Sequence, residues 1–150
     1  MGLKEKLQSD LTEAIRSRNE LVSGTIRMVL TAITNEEVAG KEAKTLSEDE
    51  VIAVLSREAK KRREAAEAFA DAGRADKAET EKAEGEVITA YLPAQLSDAE
   101  LEALIADAIA KSGAAGPQDM GKVMGVATKA LAGKADGKQI SEIVKQLLNN

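Results

Sequence analysis

The sequence predicts an all-α protein: an N-terminal domain of about four helices over residues 1–92, then a C-terminal three-helix tail module over residues 93–150. Three observations carry this. Apolar residues recur at three- and four-residue spacing, the period of helices, and no alternating β pattern occurs. The strong helix formers Ala, Leu, Glu, Lys and Arg are abundant, and the prolines are Pro93 and Pro117 alone. Phe69 and Tyr91 are the sole aromatic residues. The core is therefore built from Leu, Ile, Val and Ala, and its elements must approach closely, as helices readily do.

Leu3, Leu7, Leu11 and Ile15 form one stripe of a helix over about residues 2–18, with a break at Ser17 to Asn19. Val22, Ile26, Val29, Leu30 and Ile33 form a second stripe, ending near Gly40. Ser47 with Glu50 makes a capping box, in which each side chain satisfies the other residue's free backbone amide. It opens a long helix carrying Val51, Leu55, Ala59, Ala66 and Phe69, with Gly73 as its C-terminal stop. Asp76 begins a fourth helix through Val87 and Ile88 to Tyr91, and its polar middle implies that only its end is deeply packed. Leu92-Pro93 breaks that helix, since the residue before proline disfavours helical angles. Ser97 with Glu100 is a second capping box, opening a helix with Leu101, Leu104, Ile105, Ala108 and Ile109 that ends at Gly113. Pro117 suits the first turn of a sixth helix, carrying Met120, Val123, Met124, Ala127 and Leu131. Asp136 caps the last, with Ile140, Ile143, Val144, Leu147 and Leu148 on its face.

The chain of 150 residues contains neither cysteine nor histidine. That excludes disulfides, thiolate nucleophiles, Ser-His and Cys-His catalysis and the usual zinc centres. The expected cofactor and metal content is none. Apolar runs fall short of the roughly 20 residues of a membrane span, and the amphipathic start has no signal-peptide core; a cytoplasmic protein with no membrane partner is expected. Net charge is −5, which disfavours indiscriminate nucleic-acid binding. It is unevenly spread: residues 111–150 hold Lys111, Lys122, Lys129, Lys134, Lys138 and Lys145 against Asp119, Asp136 and Glu142, a net of +3.

Candidate functional residues fall in three places. In Gly121-Lys122-Val123-Met124-Gly125 two glycines lie four apart on one helix face, at a cost of about 1 kcal/mol each relative to alanine. Either another helix packs closely there, or bare backbone is offered to a sugar-phosphate chain or a partner. In Gly133-Lys134-Ala135-Asp136-Gly137-Lys138 two lysines flank a helix N-terminus, a generic anion site; an ordinary turn with solvated lysines is the alternative. The spacing is not that of a nucleotide-hydrolysing phosphate loop. The densest basic cluster is Arg57, Lys60, Lys61, Arg62 and Arg63. Glu58, Glu64 and Glu67 can pair with it at helical spacing. Arg62 lies on the apolar stripe, and Arg27 at the edge of another. Such arginines either bridge buried carboxylates or face a ligand. No carboxylates converge as a general acid–base pair, and aromatic residues are too few for base stacking.

These segments together resemble the GatB/YqeY family. The resemblance rests on Leu11 to Asn19, Ile26-Arg27-Met28, Leu46-Ser47 to Glu50, Lys60 to Arg63, Phe69 to Asp76, Glu81 to Glu84, Tyr91-Leu92-Pro93-Ala94-Gln95-Leu96-Ser97, Asp119 to Gly125 and Gly133 to Lys138. One departure is Ile26, where leucine is expected before the arginine. The resemblance implies similarity to the C-terminal helical and tail domains of the B subunit of the amidotransferase acting on misacylated Glu-tRNA or Asp-tRNA, whose tail reaches the tRNA outer corner. The part of that subunit that performs the chemistry has no counterpart in this sequence. The implied function is a tRNA-associated accessory protein. Carbon–nitrogen ligase activity with glutamine as amide donor belongs to the family and is not expected from this chain alone. Amidotransferase or synthetase components are possible partners. Lys122, Gly121, Gly125, Lys134, Gly137, Lys138, Arg27, Lys60, Arg62 and Arg63 are the candidate nucleic-acid or partner contacts; no catalytic residue is expected. The alternative is a helical protein-binding adaptor.

Overall fold

The computed structural model describes residues 1–94, 96–131, 134–135 and 137–149. Seven α-helices are found among them, and no strand: α1 (Leu3–Arg16), α2 (Glu20–Glu37), α3 (Glu48–Asp71), α4 (Ala75–Thr89), α5 (Asp98–Ser112), α6 (Met120–Ala130) and α7 (Gly137–Leu148). The chain divides into two compact units, Met1–Leu92 and Pro93–Asn150.

In the first unit, α1 and α2 form a hairpin and α3 and α4 form a longer one, the two closing on one aliphatic core. Leu7, Ile26, Val29, Ile33, Val51, Val54, Leu55 and Ile88 are among its buried members. The helix ends follow local chemistry. Asn19 caps α2 by accepting from the Val22 amide, and Arg18 takes a positive φ of 57° in the tight turn before it. Both amides of the Ser47–Glu50 capping box are satisfied. Gly73, at φ 75°, turns the chain between α3 and α4 in a conformation that glycine adopts without steric cost. The connection after α2 is pinned by Glu37, which accepts from Lys4 at 2.6 Å and from the Leu46 amide at 3.2 Å. This places Leu46 in the core.

The α3–α4 hairpin outruns that core. No core member lies between residues 60 and 87. Beyond Arg62 the hairpin buries only small side chains, Ala66 and Ala78. Burial of Ala78 departs from the expectation that only the end of α4 packs deeply: alanine is small enough to be covered where two helices run close.

The second unit is a three-helix bundle, α5–α7, around Leu101, Ile105, Val123, Ala127, Leu131, Ile140, Val144 and Leu148. The Ser97–Glu100 capping box opens α5 and Gly113, at φ 72°, closes it. Pro117 does not enter α6. It starts a separate 3-10 turn, Pro117–Asp119, that leads into it, because Asp119 turns back to accept from the Ala115 amide at 2.9 Å. Asp136, expected to cap α7, lies outside the described residues.

Candidate nucleic-acid interface

In α6, Val123 and Ala127 point into the bundle and Met120 and Met124 are half-buried. The opposite face carries Gly121, Lys122, Gly125, Val126 and Lys129, all exposed. A Cβ added at Gly121 or Gly125 would meet nothing within 4 Å. This overturns the close-packing reading of the two glycines: no helix among the described residues presses on them, and they leave a strip of bare backbone. Lys122 and Lys129 border the strip, about 10 Å apart along the axis at 1.5 Å per residue. Val126 is 47 % exposed between them.

Around the start of α7, Lys134, Gly137 and Lys138 are exposed, and a Cβ at Gly137 would also meet open space. Gly133, the first glycine of that segment, lies outside the described residues, as Asp136 does. Lys145 is exposed seven residues after Lys138, on the same side of α7. Among the described residues, none of Lys122, Lys129, Lys134, Lys138 and Lys145 has an ion-pair partner. Lys111, by contrast, bonds Asp107 at 2.9 Å. The acids of this unit concentrate in α5, at Asp98, Glu100, Glu102 and Asp107, so the bundle is charged oppositely on different helices.

The candidates of the first unit have different surroundings. Arg62 is buried. Its guanidinium bonds Glu58 at 2.8 Å and Glu84 of α4 at 3.4 Å, and it donates to the Met28 sulfur at 3.4 Å. Burial raises the Glu58 pKa, but bonds from Lys61 and Arg62 outweigh it, and the net shift is downward. Arg57 pairs with Glu36 at 3.2 Å and Lys61 with Glu58 at 2.9 Å. Lys60 is half-buried, whereas Arg63 and Arg27 are exposed. Much of the basic run on α3 is thus answered by carboxylates of its own unit. Lys129 and Lys145, outside the candidate set, are linked to Lys122 and Lys138 by seven-residue helical spacing.

The fold and surface define a class: an all-helical protein of two units, the second bearing a lysine-bordered strip of open backbone. The description of the Yqey-like protein family matches residues 4–148, and the chain belongs to that family. It is 28 % identical to altered inheritance of mitochondria protein 41, mitochondrial, of Pyrenophora tritici-repentis over 148 residues, 95 % of this chain and 79 % of that protein. The protein of the same name from Clavispora lusitaniae is 35 % identical over 91 residues, 61 % of this chain and 52 % of that one. An uncharacterized protein of Schizosaccharomyces pombe is 32 % identical over 98 residues, 65 % of this chain and 77 % of that one. No helix among the described residues is long and apolar enough to cross a membrane.

Proposed function

We propose that this chain is a tRNA-associated accessory protein whose second unit meets the sugar-phosphate backbone, near tRNA-dependent amide transfer, with the amide chemistry supplied by another protein. The observation that supports this best is the α6–α7 surface. Lys122, Lys129, Lys134, Lys138 and Lys145 stand exposed without acidic partners among the described residues, beside glycines that let a backbone approach. Lysines on phosphates position a nucleic acid without reading its sequence. The reading needs a compartment that holds tRNA. The cytoplasm is one, and the mitochondrial setting in the names of two relatives is another.

A tRNA titration at two salt concentrations tests it. Five phosphate contacts give a log–log slope near −4, hence a loss of roughly two orders of magnitude in affinity between about 50 and about 200 mM salt. Lys134→Ala/Lys138→Ala should weaken binding and flatten that slope. Absence of binding at the lower salt sinks the proposal. Exposed Val126 favours the alternative, a protein-binding adaptor, because phosphate contact leaves an apolar side chain unused. A complex resistant to RNase and to salt, but lost with Val126→Asp, would support that reading instead.

A further inference from the structure

Tyr91 is the last aromatic residue of the first unit and stands directly before Leu92-Pro93, where the units divide. Its hydroxyl donates to Asp10 Oδ2 of α1 at 2.5 Å. Lys6, one turn earlier on α1, donates to the same oxygen at 2.9 Å, and its ammonium lies 5.5 Å from the centre of the Tyr91 ring. Beyond the end of α4, the backbone is carried by three bonds: Ala90 N–H to the Glu86 carbonyl at 3.1 Å, then the short-range Tyr91 N–H to the Ile88 carbonyl and Leu92 N–H to the Thr89 carbonyl, both 3.0 Å. Proline has no N–H with which to continue the helix. A single terminal turn of this kind, with three backbone bonds and none to follow, frays unless side chains hold it.

We propose that Lys6 and Asp10 form a latch on Tyr91 that fixes where the chain leaves the first unit, and so sets the length of the tether to the second. With the latch closed the tether begins after Leu92. With it open, Ala90–Leu92 join the tether and extend its reach by about 10 Å. The inference rests on the geometry of the first unit alone and stands whether or not RNA is the partner.

The chain suits its own test. Tyr91 is the only tyrosine and there is no tryptophan, so tyrosine absorbance reports this side chain alone. Burial and then the Asp10 bond push its phenol well above the ordinary value. Asp10→Asn should return the midpoint toward about 10. In Tyr91→Phe, amide exchange at Ala90–Leu92 should quicken roughly fivefold. With no native cysteine, spin labels at Thr31→Cys and Ala106→Cys read the tether: their distance distribution should broaden in Tyr91→Phe. Asp10→Asn repeats both measurements, should the phenylalanine variant lose its helical signal. Unchanged exchange, or quicker exchange with an unchanged distance distribution, overturns the proposal.

Discussion

Replacing Arg62 with methionine tests whether the basic run on α3 is architecture or a surface. The side chain is 11 % exposed, as is that of Glu58, while Glu84 is 20 % exposed. Methionine matches much of the arginine's length but leaves two carboxylates without their shared guanidinium, with Lys61 still bonded to Glu58 at 2.9 Å. Removing one partner of a buried ion pair costs about 3–5 kcal/mol, and the surviving Lys61 bond puts Arg62→Met near the lower figure. With a urea slope of about 1.5 kcal/mol per molar, the unfolding midpoint should fall by about 2 M. Tyr91 emission follows the first unit alone, so the second unit does not blur the transition. The effect carries a pH signature. The folded-state pKa of Glu58 is depressed, so the stability it contributes is present above its unfolded value and is lost as pH falls through the folded one. The deficit of Arg62→Met should therefore be full at pH 7 and shrink at acid pH, where Glu58 protonates below the ordinary carboxylate range. A variant as stable as the parent at pH 7, or one equally impaired at both pH values, would refute this account of Arg62.

Other predictions are simpler. Gly125→Ala, on an open helical face, should raise the stability of the second unit by about 0.5–1 kcal/mol in thermal denaturation while weakening tRNA binding if the bare strip is where the backbone lies. Lys122→Ala/Lys129→Ala should weaken tRNA binding in titrations and flatten its salt dependence, with the helical circular dichroism unchanged. Ser97→Ala removes the α5 cap and should cost the second unit about 1 kcal/mol, with the Tyr91 transition unmoved. Gly113→Ala forces a side chain into φ 72° and should cost about 1 kcal/mol, read by the same melt.

Much of the fold was legible in the sequence because its signals are local. Capping boxes at Ser47 and Ser97, the glycines at 73 and 113, and aliphatic stripes each act within a few residues. What escaped depends on partners distant in the chain. The period of α3 places Arg62 on its apolar stripe, but only folding brings Glu84 to it. The bond between Asp10 and Tyr91 joins residues 81 positions apart in the chain. The two glycines of α6 show the reverse difficulty: spacing alone fits a packed helix face and an open one equally, and the tertiary environment separates them. The lysines were visible as charge, yet their lack of acidic partners among the described residues is a property of the folded bundle.

The division of charge within the second unit has a consequence for any partner. Over residues 93–150 the charges nearly cancel, with six lysines against seven acids, so net attraction toward a polyanion is negligible at long range. The separation of α5 acids from α6–α7 lysines gives the bundle an electric moment instead. In the field of a nucleic acid such a body is turned before it is drawn in, and only its lysine side can approach closely. The unit would discriminate by orientation, engaging in one pose while sticking poorly to anions in general.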